Sequence, residues 1–200
     1  MAKRVLIING SYREHGFTDQ MADLMAIQLE LAGLEVEQVV LRRFPIEFCT
    51  NCRHCTQSEG SAPGQCVIDD GMKILVEKIE AADGYIFASP TNFYTVTALF
   101  KRFLERLIIY GYWPWHSPAP KFRRSPFKPA LCVTSCASPS LIGRFAFNTL
   151  GVMKQAAHCV GAKVVDTLMV GLVSEQLPVN ISVRDQRRIR NITQRLLRKL

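Results

Sequence analysis

Short apolar runs alternate with longer helical repeats along the chain. Lys3 to Asn9 is a brief apolar run, β-branched at Val5, Ile7 and Ile8, that stops at Gly10-Ser11 and reads as a strand. From Thr18 to Ala32 the residues Met21, Leu24, Met25, Leu29 and Leu31 recur at helical spacing, and Gly33 closes the pattern. Glu35 to Leu41 alternates and is rich in valine, a second strand. A Cys-rich loop from Cys49 to Cys66 follows, and Asp69-Asp70 then opens a helix with Met72, Leu75, Ile79 and Ala82 on one face. Gly84 to Ala88 is a third strand, ended by Ser89-Pro90, and Thr95 to Tyr112 is a long helical pattern. Trp113 to Pro129 carries five prolines, which excludes regular structure there. Ala130 to Ser135 reads as a fourth strand, Leu141 to Val160 as one helix, and Lys163 to Val173 as a fifth strand.

Strands and helices alternating in this way imply βαβ units. The expected fold is one α/β domain over residues 1–200, a flavodoxin-like three-layer sandwich. Its five-stranded parallel sheet has the order 2-1-3-4-5 and helices on both faces. Ligands of such sheets sit beyond the strand C-termini, at the switch point between strands 1 and 3. The loops after Asn9, Ala88 and Ser135 are therefore the candidate site.

Composition narrows the classes. The chain has 200 residues, 48% of them hydrophobic, enough for a sizeable core. No apolar run approaches the roughly 20 residues that span a bilayer. The positive start Met1-Ala2-Lys3-Arg4 leads into an apolar run too short for a signal peptide, so a cytoplasmic, non-membrane protein is expected. The formal net charge of +8 suggests nucleic acid, but Ser182 to Leu200 holds seven Lys or Arg and one Asp, a net of +6. The remaining +2 describes no basic groove, and no nucleic-acid partner is expected. Within 182–200, Ile189, Ile192, Leu196 and Leu200 fall on one face and Ser182 with Asp185 can cap the start: a docked helix with a solvated basic face. Polyanion or membrane-surface binding by a regulatory module is the rival reading of that segment.

The loop Gly10-Ser11-Tyr12-Arg13-Glu14-His15-Gly16-Phe17-Thr18 joins strand 1 to a helix. It offers hydroxyls, backbone N–H groups, a helix N-terminus and the planar cation of Arg13, all suited to a phosphate. It lacks the Gly-Lys-Ser/Thr of an ATP loop and the Gly-x-Gly-x-x-Gly of a dinucleotide domain, so one terminal phosphate, as on FMN, fits best. The alternative is a plain βα turn capped by Thr18. After strand 3, Ser89-Pro90-Thr91-Asn92-Phe93-Tyr94-Thr95 can wall a flat ring with aromatics and backbone N–H groups, or its aromatics can belong to the core.

Three segments resemble the NAD(P)H-dependent FMN reductases, a family that includes quinone and azo reductases and iron–sulfur flavoproteins. They are Gly10-Ser11-x-Arg13-x-x-Gly16-x-Thr18, Ala82 to Tyr94, and Lys101-x-Phe103-Leu104-x-Arg106. The resemblance is strongest from Arg4 to Arg106. It implies that Ser11, Arg13, Phe17 and Thr18 hold the FMN phosphate. Pro90, Thr91, Asn92, Phe93 and Tyr94 would line the flavin, with Thr134, Ser135, Cys136 and Ala137 contributing from the third loop. The chain departs from the family pattern at Glu105, where Asp is usual, and in Ser135-Cys136-Ala137-Ser138-Pro139, where members often carry glycines. The implied activity is electron transfer from NAD(P)H through FMN to a small quinone-, azo- or flavin-type acceptor. No side chain is assigned as a catalytic acid or base, because the cofactor performs the chemistry. A homodimer or homotetramer is implied by the same resemblance.

Cys49-x2-Cys52-x2-Cys55-x10-Cys66 gathers four thiols around one centre, the donor set of a [4Fe–4S] cluster or zinc, with free redox thiols as the alternative. It is similar to the compact motif of the iron–sulfur flavoproteins, which implies an electron carrier served by a ferredoxin-like donor. Cys132 and Cys159 read as buried small hydrophobes, and Cys136 as more open, at the mouth of the flavin site. The Pro/Trp-rich loop 113–129 reads equally as a lid or dimer arm and as a surface loop anchored by tryptophan.

Overall fold

The computed structural model describes residues 2–173 and 180–200. In chain order the strands are β1 (Arg4–Asn9), β2 (Glu35–Val40), β3 (Gly84–Ala88), β4 (Gly111–Tyr112), β5 (Lys121–Phe122), β6 (Lys128–Ser135) and β7 (Ala162–Val170). The α-helices are α1 (Phe17–Leu31), α2 (Met72–Ala81), α3 (Ala98–Arg106), α4 (Ser140–Ala146), α5 (Thr149–Cys159) and α6 (Val183–Leu197). Five strands form one parallel sheet in the order β2-β1-β3-β6-β7, the expected 2-1-3-4-5 topology.

The central strands are buried on both faces, as a covered parallel sheet requires: every residue from Val5 to Asn9 and from Gly84 to Ala88 is buried. One face packs under α2, α3 and α5 through Leu75, Phe100, Phe103 and Met153. The other packs under α1 and α6 through Met21, Met25, Leu29, Ile189, Ile192 and Leu196. The C-terminal helix is thus docked by its apolar stripe. Ser182 caps it by accepting from the Asp185 N–H at 3.1 Å, while Arg184, Arg187, Arg190 and Arg198 face solvent. Among the described residues no helix is long and apolar enough to cross a membrane.

Four expectations are corrected. The helix predicted over 141–160 is two helices, because Phe147 is extended (φ −114°, ψ 139°) and the Asn148 N–H leaves helical pairing to donate to the Tyr94 carbonyl at 2.9 Å. The helical pattern ending at Tyr112 stops at Arg106, passes through a 3-10 turn and becomes β4. β4 pairs antiparallel with β5, so the proline-rich stretch does contain regular structure, first at Lys121–Phe122 and again at its end in β6. β6 also begins two residues early and includes Pro129. At that level the strand is bonded to β7 alone, since pairing with β3 starts at Ala130, so the missing N–H costs no ladder bond on the other side.

Candidate functional site

Asn9, the last residue of β1, starts the first loop by folding its side chain over it. Its Oδ1 accepts from the Ser11 N–H at 2.9 Å, and its Nδ2 donates to Asp19 Oδ1 at 2.7 Å. Gly10 is required by contact: a Cβ there would lie 2.9 Å from Phe100 Cβ. Thr97, the cap of α3, donates its hydroxyl to the Gly10 carbonyl at 2.6 Å. Helix α1 starts at Gly16 with no side-chain cap, so its first-turn N–H groups are open to an anion. Ser11 and Thr18 are buried beside that end, and the exposed Arg13 has no side-chain partner among the described residues. Phe17 puts its side chain into the core, so its backbone N–H is what it can offer a phosphate.

The predicted second and third loops meet the first. Thr18 Oγ1 lies 3.2 Å from Ser135 Oγ, and the Thr91 N–H donates to the Ser135 carbonyl at 2.8 Å. Thr91 Oγ1 lies 2.8 Å from Thr149 Oγ1 and 3.3 Å from Thr134 Oγ1. Pro90 is half-buried, whereas Asn92, Phe93, Tyr94 and Ala137 are exposed. The aromatics are therefore not core residues: Phe93 is 98% exposed. Cys136 corrects the expectation of an open thiol. It is buried, its Sγ is directed at the Ser138 carbonyl at 3.2 Å, and Gly143 of α4 passes close enough that a Cβ would lie 3.0 Å from that sulfur. The three loops make an open edge. A groove of ≈ 460 Å³ lined by Arg4, Glu35 and Lys78 lies at the opposite, N-terminal edge of the strands and holds none of the predicted residues.

Phe93 and Tyr94 both adopt the left-handed region (φ 43° and 67°) at the centre of a tight turn bridged between Asn92 and Thr95. Asn and Gly are the usual residues in such a turn. Two bulky side chains are held there, solvent-facing, at a backbone cost that such residues rarely bear. Phe93→Asn is expected to raise the stability of the flavin-free protein by about 0.5–1 kcal/mol while weakening flavin binding. Urea unfolding and fluorescence titration measure the two effects separately.

Cys49, Cys52, Cys55 and Cys66 line one small pocket together with Arg53, Ile68, Arg106, Ile108 and Ile109. Burial, and then the thiols of Cys66, Cys49 and Cys52, push the Cys55 thiol up to about 11. Arg106 is buried, with one Nη of its guanidinium 3.5 Å from Cys66 Sγ and both bonded to the Asp70 carboxylate at 2.6 and 3.0 Å. Burial works against the charged form of Asp70. The Arg106 guanidinium and the N–H groups of Glu47 and Met72 outweigh it and hold the carboxyl below the usual carboxylate range. No group of three or more His, Cys, Asp or Glu side chains among the described residues is arranged to hold a single metal ion. Cys132 is buried as expected, whereas Cys159 is only partly buried.

The Pro/Trp-rich segment is fastened over the cysteine loop. Arg53 is left-handed (φ 60°), and its guanidinium sits 3.7 Å from the Trp113 ring centre and 4.6 Å from that of Trp115. Arg123 donates to the carbonyls of Ser58, Gly60 and Cys55. The structure thus shows the tryptophan anchor that the surface-loop reading expects. Sequence reasoning missed Asn9, Asp19, Arg42, Thr97 and Thr149, whose roles arise only from folding.

A family model described as NADPH-dependent FMN reductase matches residues 3–175. An iron–sulfur flavoprotein of Archaeoglobus fulgidus is 38% identical over 107 residues, covering 54% of this chain and 46% of that protein. The chain spans about half the length of the curated relatives it matches. Among solved structures, an NAD(P)H:quinone oxidoreductase of Methanothermobacter marburgensis matches with TM-score 0.64 and 19% identity, covering 98% of this chain and 96% of that one. A Streptococcus pneumoniae flavodoxin matches with TM-score 0.58 and 15% identity, covering 100% of both chains. These structural likenesses establish the flavodoxin-like fold. With the family match running through all three site loops, the chain belongs to the NADPH-dependent FMN reductase family.

Proposed function

We propose that this protein binds FMN at the edge formed by the loops after β1, β3 and β6 and uses it to pass electrons from NAD(P)H to a small acceptor of quinone, azo or flavin type. The observation that carries this reading is the uncapped N-terminus of α1 beside Ser11, Thr18 and Arg13, joined by hydrogen bonds to the loop that displays Phe93 and Tyr94. Ser11, Arg13, Thr18 and the N–H of Phe17 would hold the phosphate; Pro90, Thr91, Asn92, Phe93 and Tyr94 would face the ring, with Thr134, Ser135 and Ala137 behind them. Cys136 would serve through its backbone, since its thiol is turned inward. When bound, FMN supplies the chemistry by accepting a hydride and releasing electrons to the second substrate. The protein's own part is to fix the phosphate, present one face of the ring and set the surrounding hydrogen bonds. No acid or base is needed from a side chain.

A second reading, an iron–sulfur flavoprotein electron carrier with a ferredoxin-like donor, is favoured by one observation: the four cysteines line a single pocket. A [4Fe–4S] cluster places each thiolate on a separate iron, a wider arrangement than one metal ion allows. The donor set fits such a cluster better than it fits zinc. Protein purified without oxygen is expected to show flavin bands that NADPH bleaches rapidly. A broad iron–sulfur shoulder with slow bleaching would favour the electron carrier, and no chromophore even after added FMN would overturn both readings.

A further inference from the structure

The phosphate loop carries a buried negative charge where an anion is to bind. Asp19 lies in the first turn of α1, next to Thr18, and is buried. Its Oδ2 accepts from the His15 N–H at 3.0 Å, and its Oδ1 accepts from Asn9 Nδ2. Uncompensated, this carboxylate would oppose a phosphate at the same helix end. The compensation comes from outside the loop. Arg42, in the 3-10 turn after β2, meets Asp19 with a two-pronged pair of 2.7 and 3.1 Å and donates to the Ser11 carbonyl at 3.1 Å. Both side chains are largely buried, 14% and 9% exposed. The next charges out are Arg43 and Glu14, which pair with each other at the surface.

We propose that Arg42 and Asp19 are positioning residues for phosphate recognition, a charge-neutral brace that fixes the loop and reserves Arg13 as the cation for the ligand. The proposal rests on the FMN reading above. Asp19 organises the loop by accepting from His15 and, through Asn9, by orienting the Ser11 N–H. Arg42 cancels the charge that this organisation introduces and ties the Ser11 carbonyl down. A guanidinium suits the task because its fork spans both carboxylate oxygens and still has a donor left for Ser11. The brace therefore acts on the phosphate end of a flavin and leaves ring recognition alone.

The test compares FMN with riboflavin, which has the same ring and no phosphate, in fluorescence titrations of the wild type, Arg42→Gln, and the double variant Arg42→Gln with Asp19→Asn. Arg42→Gln leaves a buried unpaired carboxylate and is expected to weaken FMN binding on the order of 100-fold while riboflavin binding changes by less than about 3-fold. The double variant, with no charge to compensate, is expected to regain most of the lost FMN affinity and also to fold if the single variant does not. Equal losses for both flavins, or no recovery in the double variant, would overturn the brace and leave Arg42 as a structural residue only. Wild type that binds neither flavin, or does not prefer FMN to riboflavin, would refute the FMN reading itself, so the two failures are distinct.

Discussion

Arg106→Ala is expected to lower the unfolding free energy by about 3–5 kcal/mol, because it strands the Asp70 carboxylate inside the protein. The guanidinium ties three segments to one point: the end of α3, the Glu47 carbonyl at 2.8 Å and the Asp70 carboxylate that also accepts from the Glu47 and Met72 N–H groups. Glu47 and Asp70 stand at the two ends of the cysteine loop, so the pair closes that loop on the helix. Arg106→Lys keeps the charge without the fork and should fall between the wild type and Ala in urea unfolding. A loss below about 1 kcal/mol for Ala would show that the pair behaves as a solvent-screened surface contact. The pair also sets an acid limit. The folded Asp70 carboxyl lies below its usual range, so its contribution is full above the unfolded value of about 4 and is lost as pH falls through the folded value. Wild-type stability should decline below about pH 4, and Arg106→Ala should flatten that part of the profile.

Phe100→Ala is expected to cost about 3–5 kcal/mol and to loosen the flavin site at the same time. The ring is fully buried, edge-on to Phe87 at 6.3 Å and to Phe103 at 5.6 Å. It is also the surface on which Gly10 rests, with Phe100 Cδ2 3.1 Å from where a Gly10 Cβ would stand. Removing the ring takes away the floor of the loop between β1 and α1. FMN titration of the folded fraction should show an affinity loss of about 10-fold, roughly 1.4 kcal/mol. Phe100→Leu, which conserves most of the volume, should cost less than about 1.5 kcal/mol and leave affinity nearly intact. Unchanged affinity in Phe100→Ala would mean that Thr97, through its bond to the Gly10 carbonyl, holds the loop by itself.

The fold was legible wherever one periodicity governed a segment. β1, β2, β3 and α1 lie within one residue of their expected bounds because a short β-branched run and a long amphipathic repeat are each unambiguous. The failures are instructive in the same terms. Apolar spacing continues from Leu141 to Val160, but the helix breaks because the Asn148 N–H finds the Tyr94 carbonyl, a partner 54 positions away in the sequence (148 − 94 = 54). Pro129 hid the start of β6, although a proline is harmless where one neighbour has not yet begun to pair. In the site, the hydroxyls and aromatics were visible as loop chemistry. Nothing in the sequence couples Asp19, in the first turn of α1, to Arg42, just after β2. Only the folded chain brings them together, 23 positions apart.

The cysteine loop has a temporal consequence. It runs between Cys49 and Cys66, yet the groups that fasten it come later in the chain: Arg106 at its base, Trp113 stacked on Arg53, and Arg123 and Arg124 on the carbonyls of Cys55, Ser58, Gly60 and Ser61. Gly64 must also pass close against the Cys55 carbonyl, its N–H bonded to Ile109, before the loop can close. During synthesis from the N-terminus, the four thiols emerge more than 50 residues ahead of their last arginine clamp (124 − 66 = 58). The four thiols are therefore all synthesised before Arg106, Trp113, Arg123 and Arg124, the residues that fasten their loop, while β6, β7 and α6 emerge later still.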